Sequence, residues 1–142
     1  MKIKIALLIS LSLNTALFAQ TKKIDPAQLK PFIPKGYTIL ERGQGDFNQD
    51  GYTDVILILA SNKEEKDGQA ARPLLILLGK ADGSLSLYGR NDNVVLCKEC
   101  GGVMGDPLQE IVVKGHYFSV EHYGGSIDRW SQVVTFKYDL LT

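Results

Sequence analysis

From Gly45 to Asp54 the chain reads GDFNQDGYTD, and hard oxygen donors recur at alternate positions: Asp46, Asn48, Asp50 and, beyond Gly51 and Tyr52, Asp54. Alternate residues of a tightly coiled loop point inward, so three carboxylates and an amide are brought toward one point. Without a cation that convergence is repulsive and raises the carboxylate pKa values. Oxygen donors alone, several of them charged, suit Ca2+. The competing reading is that Asp, Asn and Gly simply build Asx turns. The strict register of four side-chain oxygens, with a glycine inside it, favours the ion.

Counted from Asp46 as position 1, Tyr52 stands at position 7, Asp54 at position 9 and Gly51 at position 6. An EF-hand loop uses those positions for coordination, position 7 through its carbonyl, and needs glycine at position 6 for the sharp turn. Position 12, normally a bidentate glutamate, is Leu57, and an apolar run replaces the exiting helix. The loop therefore fits and the helix-loop-helix frame does not. GDFNQDGYTDVILIL followed by RPLLILLGKADGSL resembles the FG-GAP or VCBS-type repeat of integrin-like β-propellers, where such a loop precedes a hydrophobic strand and a hairpin. The resemblance implies calcium ligation by Asp46, Asn48, Asp50, Tyr52 through its carbonyl, and Asp54. It spans one blade at most, and no second acidic loop follows, so a closed propeller is not expected. The pieces FIPKGY, GDFNQDG, RNDNVVLCKECGGVMGDP and HYGGSIDRW also look like a group of small exported bacterial proteins of undetermined role. That likeness implies export and a single calcium-loop domain, and brings no activity with it.

Cys97 and Cys100, with His116 and His122, mimic a zinc pattern. Residues 116–122 read as one strand, however, and six residues of strand span about 20 Å, too far for two ligands of one zinc. A redox pair would want its cysteines at a helix N-terminus, and Gly101-Gly102 begins none. A structural disulfide, natural in an exported protein, is the expectation. HYGGSIDRW gathers His122, Tyr123, Arg129 and Trp130 about a glycine turn, and aromatics beside arginine are typical of binding hot spots. A hydrolytic Ser126–His122–Asp128 set is the alternative there, but no G-x-S-x-G elbow supports it. The histidines also have a plain structural reading, as residues flanking a packed strand face.

These groups need elements to position them. Asp25-Pro26 makes a helix start, with Asp25 as N-cap and Pro26 in the first turn. A short helix over 27–32 would pack Leu29, Phe32 and Ile33 on a sheet. Residues 37–41 (YTILE) read as a strand ended by Gly43 and Gly45. The unbroken apolar runs 55–60 and 74–78 read as strands buried on both faces, so something must cover each side. Between them SNKEEKDGQAAR reads as a solvated loop. Asp82-Gly83 marks a hairpin turn; strands follow at 85–88, 94–97, 111–113, 116–122 and 130–138, with a turn expected at 89–93. The fold class is mainly β: a single antiparallel β domain, meander- or sandwich-like, of about eight strands, with a short N-terminal helix.

The first nineteen residues read as a secretory signal peptide: Lys2 and Lys4, an apolar stretch 5–13, then small residues to Ala19. Residues 20–142 would then form the one calcium-loop domain, exported to the periplasm or secreted. With no cysteine after the cleavage site, lipid anchoring is not expected, and no membrane span remains. Cleavage removes two lysines and no acid, turning 16 basic against 16 acidic residues into 14 against 16. That slight acidic surplus excludes a nucleic-acid footprint. The expected function is a non-catalytic calcium-binding domain, not an enzyme, that binds a protein or glycan partner in the envelope or outside it. The alternatives are a small envelope hydrolase working at 122–130, and an inhibitor-type interaction protein in which calcium is only structural.

Overall fold

The structure is a computed structural model that describes residues 23–139. The expected signal segment lies outside those residues. Helix α1 (Pro26–Leu29) runs into a 3-10 turn (Lys30–Phe32), and seven strands follow: β1 (Tyr37–Gly45), β2 (Asp54–Ser61), β3 (Arg72–Gly79), β4 (Leu85–Val95), β5 (Leu108–Lys114), β6 (Tyr117–Gly125) and β7 (Arg129–Lys137). They form two antiparallel meanders, a four-stranded sheet β1-β2-β3-β4 and a three-stranded sheet β5-β6-β7.

The helix start follows its sequence signals. The Asp25 side chain accepts the Ala27 N–H at 2.8 Å, and the Gln28 side chain returns to the Asp25 N–H at 3.2 Å. These reciprocal bonds satisfy donors that a helix N-terminus otherwise leaves open. Gln28 also donates to the Gly83 carbonyl at 2.7 Å, tying the helix to the β3–β4 turn.

The apolar run of β2 is buried on both faces, and each face has its own cover. Val55, Leu57 and Leu59 pack with Leu75, Leu77 and Leu29 beneath the helix, joined by Phe32 and Ile33. Ile56 and Ile58 pack with Leu74, Phe118 and Val120 between the sheets. All five of these β2 side chains are fully excluded from solvent. Each contributes roughly 1.5–3 kcal/mol relative to exposure, so β2 is the axis of the fold.

The second sheet approaches the first most closely at β1. A Cβ placed on Gly43 would lie 2.7 Å from Ile111 Cγ2, and one on Gly45 would lie 2.7 Å from Val113 Cγ1. The expectation that Gly43 and Gly45 end β1 is therefore corrected for Gly43, which continues the strand; Gly45 is its last residue, and the missing side chains of both admit β5. The expected turn at 89–93 is likewise strand, because β4 stays paired to β3 through two register shifts. That joins two expected strands into one.

Candidate functional site

The acidic loop connects β1 to β2. Asp46 Oδ1 accepts the Asp50 N–H at 3.1 Å, and its Oδ2 accepts the Gly51 N–H at 2.9 Å. Asn48 Oδ1 accepts the Asp50 N–H at 3.1 Å, Asn48 Nδ2 donates to Asp50 Oδ2 at 2.8 Å, and Asp50 Oδ1 accepts the Tyr52 N–H at 2.9 Å. The coil requires left-handed backbone at Gln49 (φ 59°) and Gly51 (φ 87°). Glycine adopts that conformation freely, whereas glutamine does so at a cost. Asp46, Asn48 and Asp50 are thus brought together around one turn.

Asp54 behaves differently. It is fully buried; its Oδ1 accepts the Gly79 N–H at 2.9 Å, and its Oδ2 accepts the N–H groups of Phe47 at 3.1 Å and Asn48 at 3.4 Å. Burial raises its pKa above the ordinary aspartate value; the three backbone N–H groups oppose that rise and the Asp50 charge adds to it. Asp54 therefore bolts the loop to the end of β3. Tyr52 is exposed at the rim, where it lines a pocket of about 310 Å³ with Lys80, Asp82 and Ser84 of the β3–β4 turn. His116 approaches the Phe47 carbonyl through Nδ1 at 3.3 Å, fastening the loop to the β5–β6 turn.

The donor chemistry of this loop fits calcium. Its groups are oxygens, three of the four side chains are carboxylates, and each carboxylate oxygen that accepts one N–H retains a lone pair. The buried Asp54 adds a charge that a cation would offset. Among the described residues no three His, Cys, Asp or Glu side chains gather into a metal-holding group.

The far end of the molecule holds the other candidates. Cys97 and Cys100 are disulfide-bonded, with Cα atoms 5.0 Å apart. They sit in the segment 96–107 that joins β4 to β5 and crosses from one sheet to the other. Its glycines pack tightly on β6: the Gly125 N–H donates to the Gly101 carbonyl at 2.9 Å, and a Cβ on Gly124 would lie 2.9 Å from Gly101 Cα. Beneath this strap lies Arg72, fully buried at the start of β3. It makes two bonds to Glu64 (2.6 and 3.1 Å), two to Asp106 (2.7 and 2.6 Å) and one to the Leu96 carbonyl (3.3 Å). Burial works against the Arg72 charge, but the bonds from Asp106 and Glu64 outweigh it and hold the guanidinium well above its ordinary value. The charged segment 61–72 is therefore not merely solvated: it carries the buried Glu64 into this cluster.

His122 is also buried, and its Nε2 accepts the Leu96 N–H at 3.2 Å. Phe118, Val120 and His122 share the inward face of β6, as alternation predicts. His116 lies at the opposite end of the strand, and the cysteines are bonded to each other, so no four-residue zinc cluster forms from them. Ser126 and Asp128 lie exposed in the β6–β7 turn, where the Ser126 N–H bonds the Asp128 carbonyl at 3.1 Å. Tyr123 and Trp130 are half-buried and Arg129 is exposed, its guanidinium donating to the Tyr123 hydroxyl at 3.4 Å. Next to them stand bare aliphatic side chains: Ile127 is 98% exposed at the tip of the turn and Val103 is 82% exposed on the strap. Sequence reading missed the Arg72 cluster, which joins segments far apart, and these tips, whose exposure no local pattern marks.

Comparison with protein-family models, with curated proteins and with solved structures finds no match. Among the described residues no helix is long and apolar enough to cross a membrane.

Proposed function

We propose that this chain is an exported, non-catalytic β domain that binds one calcium ion in the 46–54 loop and presents its opposite end to a partner. Asp46, Asn48 and Asp50 with the Tyr52 carbonyl hold the ion, and Asp54 is the buried carboxylate whose charge the ion offsets. The observation that carries this reading is the gathering of Asp46, Asn48 and Asp50 about one left-handed turn that Asp54 fastens to Gly79. The resemblance of the loop to an FG-GAP or VCBS-type repeat points the same way.

The partner surface is proposed at Tyr123, Arg129 and Trp130, extended by Ile127 and Val103; His122 is interior and supports it from beneath. Exposed apolar groups beside an arginine and two aromatics are the composition of an interaction site. The loop and this surface lie at opposite ends of β6, whose nine residues extend roughly 30 Å. That separation favours a structural ion over one that touches the partner, in line with an interaction protein braced by calcium. The partner is a protein or a glycan of the cell envelope or its surroundings.

Calorimetric titration of the mature chain tests the first part: one calcium per chain is expected, with Asp50→Ala abolishing it. Capture from envelope extracts tests the second. Trp130→Ala is expected to lose the captured species, and Asp50→Ala to retain it at temperatures where the variant stays folded. Capture unaffected by Trp130→Ala and Arg129→Ala together would remove the proposed surface.

A further inference from the structure

Leu96 is the first residue of the strap, and both halves of its backbone are claimed by buried side chains. Its carbonyl accepts from Arg72 Nη1 of the first sheet at 3.3 Å, and its N–H donates to His122 Nε2 of the second sheet at 3.2 Å. The second bond is informative about charge. An imidazole nitrogen that accepts an N–H carries no proton, so the ring is neutral with its hydrogen on Nδ1. Nδ1 is buried without a hydrogen bond of good geometry, although the neighbouring Gln132 backbone favours its proton. A protonated ring has two donors and no acceptor, and would face the Leu96 N–H donor-to-donor.

We infer that His122 is an acid-sensitive latch that fastens the strap 96–107 across the two sheets and releases it when the ring takes up a proton. The charged groups around the ring come from several elements. Arg72 of β3 disfavours a second positive charge, whereas Asp106, at the end of the strap, favours it. Glu64 of the β2–β3 loop is already engaged with both Arg72 nitrogens that face it, and β7 contributes only the Gln132 backbone. Burial is the largest influence, Arg72 adds to it, and together they hold the ring below the ordinary histidine value of 6.5 against the pull of Asp106.

The direction of the response follows. Between pH 6.5 and the lower value of the folded ring, the open form binds a proton that the latched form does not, so opening is favoured as pH falls. Below the folded value both forms are protonated and the response levels off. For one linked proton, the protection of the strap falls by up to about tenfold per pH unit inside that window. Acid would thereby free the apolar tip Val103, the disulfide and the Gly101–Gly125 contact as one unit, while the core around β2 remains closed.

The test uses the full mature chain and amide hydrogen exchange corrected for intrinsic rates. The Leu96 and Gly125 amides are expected to lose protection on acidification with a midpoint equal to the His122 titration followed by NMR, while the Ile56 amide keeps its protection. His116, the other of two histidines, serves as the internal control. His122→Gln, whose amide oxygen can accept the Leu96 N–H and does not titrate, is expected to abolish the pH dependence. Strap protection that ignores the His122 titration in the wild-type chain would overturn the inference, as would an unchanged pH response in His122→Gln. If that variant does not fold, coincidence or divergence of the two wild-type midpoints decides alone.

Discussion

The carboxylate of Asp54 and the backbone N–H of Gly79 meet at 2.9 Å in the interior, joining the end of the acidic loop to the end of β3. Asp54 opens β2 and Gly79 closes β3, so the loop is continuous with the two most buried strands of the molecule. Whatever changes the loop is felt by the core.

Asp54→Ala should therefore destabilise the domain even without calcium. It leaves the N–H groups of Gly79 and Phe47 without their acceptor in buried surroundings, at about 1–3 kcal/mol for each unsatisfied group. Denaturant unfolding in chelator measures this; a loss below about 0.5 kcal/mol would contradict the bolting role.

Arg72→Ala should be costlier still, because it strands Glu64, whose side chain is 8% exposed, beside the partly exposed Asp106. Removing one member of a buried charged cluster typically costs about 3–5 kcal/mol. Asp106 supplies a pH signature. Burial raises its pKa, but the Arg72 bonds and the Leu108 N–H prevail and hold it below the ordinary value. Its contribution is thus present above about pH 3.9 and is lost as pH falls through the lower folded value. In Arg72→Ala that acid-side loss should shrink, as unfolding curves between pH 2 and 5 would show.

Gly43→Ala tests the sheet-to-sheet seam. The added methyl would lie 2.7 Å from Ile111 Cγ2, and overpacking of this kind costs about 1–3 kcal/mol. Thermal melting of Gly43→Ala with and without Ile111→Ala, which removes the clashing Cγ2, would check the mechanism: the added methyl should cost less in the Ile111→Ala background than in the wild-type one.

The parts of the fold that were legible in sequence are those written in local pattern. The apolar runs of β2 and β3, the Asp25-Pro26 helix start, the C-x2-C pair and the alternating oxygens of the loop each lie within about fifteen residues. What escaped was written in contacts between distant segments. Arg72 meets Asp106 across 34 residues, and Leu96 meets His122 across 26; neither pairing has a local signal. Gly43 and Gly89 misled for a different reason. Both look like strand breakers, yet one is required by a neighbouring strand and the other lies opposite Ile76 in a bulged ladder.

The disulfide closes a loop of only four residues, Cys97 to Cys100, so its chain-entropy contribution is about 2 kcal/mol. Reduction should lower the melting temperature by roughly 6–12 °C and leave the calcium affinity unchanged, since bridge and loop lie at opposite ends. A change in calcium affinity on reduction, read by titration, would show that the two ends are coupled.

Calcium binding by the 46–54 loop is the centre of the account, and the most direct measurement is the melting temperature of residues 20–142 in millimolar calcium against chelator. Calcium at about 100 times its dissociation constant adds about 2.7 kcal/mol, which for a domain of this size raises melting by roughly 8–16 °C. Magnesium should do much less, because it holds to octahedral geometry and keeps its waters. Asp50→Ala should remove most of the calcium-dependent rise. A melting curve identical in calcium and chelator would leave the loop as a set of Asx turns and contradict the account.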